Sequence, residues 1–168
     1  MLVRKAIGED ADRLAWVHMR CWQQAYSGLM PDAFLELRTD DLPESAGRWR
    51  DWIAGGYAPW VAVGADGEIK GFAGGGAARD DDVTGAGEVF AIYLLAEHWG
   101  TGIGRRLMEA VTESLVEAGF KEAVLWVLEG NARARRFYEA AGWLRDGAAK
   151  NDERDGFKLS EVRYRRRF

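Results

Sequence analysis

The sequence predicts an α/β fold with one mixed sheet and helices on both of its faces. Three observations lead to this prediction. Patterns typical of strands alternate with helical patterns along the chain, and two of the strands are joined by an Asp66-Gly67 hairpin signal. Further along, two strand patterns are each followed directly by a helix. The 168 residues are enough for one core, so we expect a single domain over residues 1–168.

In the first half of the chain, residues 2–6 alternate like a short strand, and a helix follows from about Asp10. One stripe of this helix is apolar and consists of Leu14, Val17, Cys21 and Ala25. We therefore expect the Cys21 side chain to lie in the core. The other elements expected here are helices at residues 31–37 and 43–54 and strands at residues 60–63 and 69–75.

In the second half, strand patterns at residues 88–95 and 123–128 are each followed by a helix. Asn131 is a good N-cap for the second of these helices, and Gly142 is a good C-cap. The other elements expected here are a helix at residues 107–118 and strands at residues 144–149 and 157–165.

Composition and charge narrow the classes of function. The net charge of −4 argues against nucleic acid or an anionic membrane as a partner, and no apolar run approaches the roughly 20 residues of a membrane span. Two histidines are too few and too far apart to suggest a metal site. Because Cys21 is the one cysteine, we expect a cytoplasmic location. We expect Asp80–Asp82 to be an exposed loop and Arg163–Arg167 to be a charged terminal strand.

The most informative segment is the connection between the strand at residues 88–95 and the helix after it. It contains Gly100, Gly102 and Gly104. Glycines at such a junction leave backbone N–H groups uncovered at the positive end of a helix dipole, which is suitable for holding phosphate. A P-loop requires a lysine after the glycines, and a dinucleotide-binding loop requires Gly-x-Gly-x-x-Gly; neither pattern is present. The alternative is a flexible connection with no ligand.

This connection resembles the pyrophosphate loop of the GNAT superfamily of N-acetyltransferases, written Gln/Arg-x-x-Gly-x-Gly/Ala. One residue departs from the pattern, since Trp99 stands where the family usually has glutamine or arginine. A second segment, from Asn131 to Trp143, is similar to another conserved part of the same family. It reads Asn-x-x-Ala-x-x-Phe-Tyr-x-x-x-Gly-aromatic, and it occurs after the loop, on the elements that the family pattern requires.

The resemblance implies a GNAT-type fold, in which a mixed, mostly antiparallel sheet has a V-shaped splay between its two central parallel strands. It implies acetyl-CoA as cosubstrate, and no metal is expected, since the two histidines are too few and too far apart. A backbone N–H of Leu94 or Leu95 is expected to polarise the thioester carbonyl, and Asn131 is expected to flank the pantetheine arm. The loop residues expected to bind the cosubstrate are Trp99, Gly100, Thr101, Gly102, Ile103, Gly104 and Arg105.

The resemblance also implies catalytic roles for two side chains. Glu88 coincides with the strand carboxylate that serves as general base in the histone acetyltransferases of the superfamily, and it would remove the amine proton directly or through a water. Tyr138 stands at the position of the general acid that protonates the departing CoA thiolate. Each residue has a structural alternative, since Glu88 suits a strand end facing solvent and Tyr138 suits a core position.

The acceptor is expected to be selected by the first half of the chain. The segment around Trp22 and Tyr26 resembles a Trp-x-x-x-Tyr-x-Gly sequence of many bacterial GNAT proteins whose acceptors are unassigned. In that fold the first helix, its following turn and the second helix form the walls of the acceptor pocket. Trp22, Tyr26 and Phe34 are therefore candidates for an aromatic lining, although aromatic residues at helical spacing also occur in cores.

Two functions of different classes remain. The favoured one is an acetyl-CoA-dependent N-acetyltransferase, in which a primary amine of a small molecule or peptide attacks the thioester directly within a ternary complex. The alternative is a non-catalytic module that binds CoA or a partner on the same scaffold. A homodimer is compatible with either function, and the C-terminal strands are its expected edge.

Overall fold

A computed structural model describes residues 1–32, 35, 41–154 and 157–168 of the chain. The helices are α1 (Ala11–Tyr26), α2 (Leu42–Ala54), α3 (Ile103–Glu117) and α4 (Ala132–Ala140). The strands are β1 (Leu2–Lys5), β2 (Trp60–Val63), β3 (Ile69–Ala77), β4 (Gly87–Leu94), β5 (Glu122–Leu128), β6 (Leu144–Arg154) and β7 (Phe157–Arg167). The helix expected at residues 31–37 falls largely outside the described residues.

Within the described residues, the strands form a seven-stranded sheet in the order β1-β2-β3-β4-β5-β7-β6. The pairs β1–β2, β2–β3, β5–β7 and β6–β7 are antiparallel. Strands β4 and β5 are parallel, and they pair through Gly87 with Ala123 and Glu88 with Val124. This parallel pair matches the expected splay. The prediction of a mixed, mostly antiparallel sheet in an α/β fold is therefore confirmed.

The chain forms two compact units, and β3, β4 and α3 contribute residues to both. The first unit contains residues 1–74 and 91–111, and the second contains residues 75–90 and 112–168. The expectation of one domain over the whole chain stays a prediction.

The core of the first unit is built on the apolar stripe of α1. Leu14 and Val17 are fully buried and Cys21 is 1% exposed, so the expected core position of the cysteine is confirmed. They share one cluster with Phe72 of β3 and Trp49 of α2. Burial of a large apolar side chain contributes about 1.5–3 kcal/mol, so this cluster makes a substantial contribution to the stability of the unit.

The turn between β2 and β3 has the chemistry expected of the Asp66-Gly67 signal. Gly67 has a φ of 79°, a left-handed conformation that glycine adopts without strain. The Asp66 carboxylate accepts a hydrogen bond from the N–H of Glu68 at 3.1 Å, and the N–H of Gly64 donates to Glu68 O at 2.8 Å. The turn therefore closes the hairpin through local contacts alone.

In the second unit, Arg163 is 4% exposed and lies among three aspartates. Its guanidinium binds Asp80 at 3.2 Å, Asp82 at 2.6 Å and Asp146 at 2.8 Å. Asp80 also accepts a hydrogen bond from the indole of Trp126 at 2.7 Å. The aspartate run is thus tied to β7 rather than forming only a solvated loop, because a buried guanidinium requires carboxylate partners.

Among the described residues, we find no helix whose length and apolar character would let it cross a membrane.

The start of α1 is fixed by a buried carboxylate. Asp10 accepts hydrogen bonds from the Arg4 guanidinium at 2.6 and 3.0 Å and from the N–H of Ile7 at 2.8 Å. Burial raises the pKa of the Asp10 carboxyl, but the hydrogen bonds from Arg4 and Ile7 outweigh burial and hold the pKa below its usual value. Because the folded pKa is the lower one, the carboxylate stabilises the fold at neutral pH, and this contribution is lost as the pH falls through the folded pKa.

We expect Asp10→Asn to lower the free energy of unfolding by about 1–3 kcal/mol at neutral pH, because charged hydrogen bonds are lost. The difference from wild type should shrink below about pH 4, where the carboxyl of the unfolded chain is protonated. Urea unfolding at pH 7 and pH 3 measures both values. Asp12→Asn is the control, since the Asp12 pair with Arg50 is solvent-exposed and should contribute little. An equal loss for Asp10→Asn at both pH values would contradict the prediction.

Candidate active site

The glycine connection after β4 has the backbone that its sequence predicts. Gly100 and Gly102 have φ angles of 74° and 84°, in the left-handed region that favours glycine. A Cβ added at either position would meet no other atom within 4 Å, so the space in front of this backbone is open. Helix α3 begins at Ile103, directly after Gly102.

The first turn of α3 presents backbone amides. The N–H of Arg106 donates to Gly102 O at 3.2 Å and is the first to make the helical bond. The N–H groups of Ile103, Gly104 and Arg105 have no partner within the helix, and the helix dipole adds positive potential at this end. Open space in front of such amides suits the oxygens of a phosphate group.

Trp99 joins the loop to the end of β4. Its indole N–H donates to the carbonyl oxygen of Leu94 at 2.7 Å. The hydroxyl of Thr101 donates to His98 O at 2.7 Å, which holds the next part of the loop. The residue that departs from the family pattern therefore has a structural task of its own, since it connects the glycine loop to the strand.

The backbone at the end of β4 distinguishes the two candidate amides. The N–H of Leu95 donates to Lys70 O at 2.9 Å. Because successive N–H groups of a strand point to opposite edges, the N–H of Leu94 points away from Lys70. Of the two amides, Leu94 is thus the one that can donate to a ligand at that opposite edge.

The arginines after the loop are engaged at the surface. Arg105 is exposed and pairs with Glu109 one helical turn further on, at 2.9 Å. Arg106 donates to Met1 O at 2.8 Å. The Arg105 pair is solvent-exposed and contributes little, so this guanidinium is available to exchange its partner for a phosphate.

In the second unit, Asn131 is the N-cap of α4 and Tyr138 lies within this helix, and both side chains are buried. The Asn131 side chain accepts a hydrogen bond from the N–H of Ala134 at 3.1 Å, so it caps the helix as predicted. Tyr138 is 8% exposed, and its ring lies 5.4 Å from Phe137 and 6.2 Å from Tyr164. The spacing of these two residues places them on one helix, two turns apart.

Glu88 is on β4 of the second unit and is 2% exposed, so it does not face solvent as a plain strand-end carboxylate would. Arg79 donates three hydrogen bonds to it, from its backbone N–H at 3.0 Å and from its guanidinium at 3.1 and 2.5 Å. The Arg79 side chain is 67% exposed. A carboxylate has about four lone-pair positions, so one remains for a proton or a water.

One of the aromatic residues expected near the acceptor contacts Tyr93 of β4, which the sequence did not identify as part of this group. Trp22 and Tyr26 contact each other edge to face at 5.2 Å. The Tyr26 hydroxyl lies 3.3 Å from the hydroxyl of Tyr93 on β4. Phe34, the third expected member, lies outside the described residues. Tyr93 directly precedes Leu94, and that adjacency was the signal that could have identified it.

The structure thus connects some of the expected residues within each unit. In the first unit, hydrogen bonds link the glycine loop to Leu94 and Leu95, and Trp22 contacts Tyr26. In the second unit, Asn131 caps α4 and Tyr138 lies on it. Among the described residues, no group of three or more His, Cys, Asp or Glu side chains is placed to hold a metal ion.

Comparisons with known proteins agree with this geometry. The sequence profile of the Acetyltransferase (GNAT) family matches residues 12–143. An uncharacterised N-acetyltransferase of Bacillus subtilis, YuaI, is 34% identical over 160 residues, which cover 95% of this chain and 89% of that protein. An uncharacterised N-acetyltransferase of Archaeoglobus fulgidus is 32% identical over 145 residues, which cover 82% of this chain and 89% of that protein.

Solved structures share the fold at low sequence identity. The PaiA N-acetyltransferase of Thermoplasma acidophilum, in complex with coenzyme A, has a TM-score of 0.70 and 18% identity, with 99% of this chain and 98% of that chain covered. YncA of Salmonella typhimurium, a proposed acetyltransferase solved with acetyl-CoA, has a TM-score of 0.74 and 20% identity, with 99% and 93% covered.

Proposed function

The chain belongs to the GNAT family of acetyltransferases, and on that premise we propose that it transfers an acetyl group from acetyl-CoA to a primary amine of a small molecule or peptide. The amine attacks the thioester directly within a ternary complex. The observation that carries the proposal is the glycine loop, whose left-handed backbone and open space lead into the first turn of α3.

The residues of the loop fit the pyrophosphate of acetyl-CoA. The amides of Ile103, Gly104 and Arg105 supply hydrogen-bond donors, and the absence of side chains at Gly100 and Gly102 lets an anion approach the backbone. Trp99 and Thr101 hold the loop in this conformation through their hydrogen bonds. The Arg105 guanidinium adds positive charge, and Asn131 flanks the pantetheine arm at the start of α4.

When bound, acetyl-CoA supplies the acetyl group as an activated thioester. The N–H of Leu94 is the proposed donor to the thioester carbonyl oxygen, where negative charge develops during attack. Its direction is set by the neighbouring Leu94–Leu95 peptide group, which is hydrogen-bonded at both of its polar atoms. Such a fixed donor needs no reorganisation during the reaction, which makes electrostatic stabilisation effective.

Glu88 is the proposed general base. Arg79 occupies three of the roughly four lone-pair positions of its carboxylate, and the remaining position can accept a proton through a water. Arg79 also holds the carboxylate in one orientation. Because the carboxylate is held in one orientation, an ordered water can relay the amine proton to it. This favours the water-mediated form of the mechanism.

Tyr138 is the proposed general acid, and its phenolic proton goes to the departing CoA thiolate. A thiol has a pKa of about 8.5, so protonation of the leaving group helps turnover but is not indispensable to it. Burial of the ring and its contacts with Phe137 and Tyr164 give the hydroxyl a fixed position.

One observation favours the non-catalytic alternative. The extensive pairing of Glu88 with Arg79 resembles a structural ion pair, and a scaffold that only binds CoA would need no base. The two functions differ in a measurable way, because both bind CoA but only the acetyltransferase releases free thiol in the presence of an amine.

Calorimetric titration with acetyl-CoA tests the proposal. We expect binding in the micromolar range for the wild type, and its loss in Gly104→Leu, because the leucine side chain occupies the first turn of α3 near the phosphate position. Gly47→Leu is the matched control, since Gly47 lies in α2 with nothing within 4 Å of an added Cβ. Absence of binding to folded, CoA-free wild type would disprove the proposal. Binding without thiol release for any amine would favour the non-catalytic module.

We expect Tyr138→Phe to lower kcat by about 10- to 100-fold, at or below the low end of general acid catalysis, with acetyl-CoA affinity nearly unchanged. Tyr164→Phe is the matched control. Its hydroxyl donates to Glu139 at 2.6 Å in the same unit, so its loss should reduce stability rather than turnover. Steady-state kinetics with titrated acetyl-CoA binding separates the two effects. A loss of affinity at constant kcat would assign Tyr138 to binding only.

We expect Glu88→Gln to abolish the acidic limb of the pH profile of kcat/KM, because glutamine cannot take up the amine proton. The direction of this pH dependence follows from the proposed role of Glu88. A general base must be deprotonated to act, so the activity falls as the pH decreases. Arg79→Gln is the comparison variant, which removes the ion pair but keeps the carboxylate and hence the limb. If both variants lose stability equally and both keep the wild-type profile, Glu88 has a structural role.

A further inference from the structure

The first unit contains a cavity of about 540 Å³ beside the end of β4. It lies between α1, the start of α2 and the residues that follow the strand. Its walls include Trp16, Arg20, Gln24, Leu42, Leu95 and Glu97. The volume is within the range of about 300–1,000 Å³ that is typical of small-molecule sites.

Helix α1 supplies one wall of the cavity, and a hydrogen bond connects this wall to the segment after β4. Trp16, Arg20 and Gln24 are four residues apart, so their side chains lie on one face of the helix. The Gln24 side-chain oxygen accepts a hydrogen bond from the N–H of Ala96 at 2.9 Å. This bond fixes the distance between the helix and the segment that carries Leu95 and Glu97.

Arg20 and Glu97 both line this cavity, and neither has an ion-pair partner among the described residues. This is unusual in the first unit, where the other arginines of the described residues have partners. Arg4, Arg13, Arg48, Arg50 and Arg105 pair with carboxylates, and Arg106 binds a carbonyl oxygen. A cation and an anion are therefore both available to a ligand.

The cavity is also close in sequence to the proposed chemistry. Leu95 lines it, and the preceding residue, Leu94, carries the N–H proposed to polarise the thioester. Trp16, Leu42 and Leu95 add apolar surface to the same cavity. One carboxylate-binding group, one ammonium-attracting group and an apolar wall match the three parts of an apolar α-amino acid.

We propose that this cavity binds the acceptor, and that the acceptor is a free α-amino acid with an apolar side chain. This inference rests on the proposed function. Arg20 binds the α-carboxylate, Glu97 draws the ammonium toward the site, and the side chain packs against Trp16 and Leu42. A peptide N-terminus carries no α-carboxylate on its first residue, so the inference narrows the acceptor to small molecules.

The transfer balances with an amino acid as acceptor. The α-ammonium loses one proton before attack, the N–C bond forms as the C–S bond breaks, and the nitrogen then loses a second proton. One of these protons is matched by protonation of the CoA thiolate, and the other goes to solvent. The carboxylate takes no part in these steps, so Arg20 is a residue of specificity and should affect KM more than kcat.

The test compares L-leucine, L-methionine and L-tryptophan with their carboxamides, which keep the side chain and the α-amine but lack the negative charge. The amide α-amine is the weaker base and is more often neutral, so chemistry alone favours the amides. We expect the wild type to prefer the amino acids. Arg20→Gln should raise their KM by about 10- to 100-fold, as loss of a charged hydrogen bond predicts, and leave the amides within about twofold. Arg20→Lys should restore part of the difference.

Arg48→Gln is the matched control, because it removes an exposed arginine that pairs with Glu44 on the surface. Calorimetric titration of L-leucine onto the CoA-saturated protein provides a readout without turnover, and Arg20→Gln should abolish this binding. Equal use of amino acids and amides, an equal effect of Arg20→Gln on both, or no binding of L-leucine would overturn the inference.

Two further results separate this inference from the proposed function. If Arg20→Gln weakens acetyl-CoA binding and leaves the KM of the amino acids unchanged, Arg20 serves the CoA phosphates and the inference fails. If the wild type binds acetyl-CoA and acetylates only amines without a carboxylate, the inference fails while the proposed function stands. If the wild type does not bind acetyl-CoA, the proposed function fails, and the inference fails with it.

Discussion

The glycine loop and the end of β4 depend on one peptide group, which joins Leu94 to Leu95. Its carbonyl oxygen accepts the Trp99 indole N–H at 2.7 Å, and its N–H donates to Lys70 O at 2.9 Å. Rotation of this peptide would break two hydrogen bonds, each of which is expensive to leave unmade. The adjacent N–H of Leu94 therefore keeps its direction, and the loop keeps its place at the strand end. Oriented donors and a preformed anion site are what acyl transfer from acetyl-CoA requires.

Elements that depend on neighbours in the sequence were predictable. The stripe of α1, the Asn131 cap and the Asp66-Gly67 turn are each defined by residues within a few positions of one another. The hydrogen bond that occupies the Leu95 amide was not predictable, because its acceptor is Lys70 of a different strand. The contact between the Tyr26 and Tyr93 hydroxyls has the same origin, since it joins a helix to a strand far along the chain.

Ion pairs between distant parts of the chain show most clearly what the sequence could not predict. In the sequence, the Asp80–Asp82 run and Arg163 are separate charged segments, and each alone is typical of a solvated surface. In the structure, Arg163 is buried and binds Asp80, Asp82 and Asp146, because a guanidinium removed from water needs carboxylates around it. The converse holds for Glu88, a buried carboxylate that pairs with the exposed guanidinium of Arg79. The hydrophobic period and the residue propensities indicate which face of a helix or strand is buried. They do not indicate which residue of opposite charge will pair with a charged side chain on that face.

Arg20 and Glu97 are exposed, so the rule for buried charges does not require them to pair. Both line one cavity and neither has an ion-pair partner among the described residues, so a ligand that carries both charges can engage them. The proposed donor site consists largely of backbone amides, which depend on glycines and on the start of α3. The proposed acceptor site consists of side chains on α1, α2 and the segment after β4. A substitution at Arg20 can therefore change the acceptor without altering the loop, which explains why resemblance to a family indicates the acyl donor more readily than the amine.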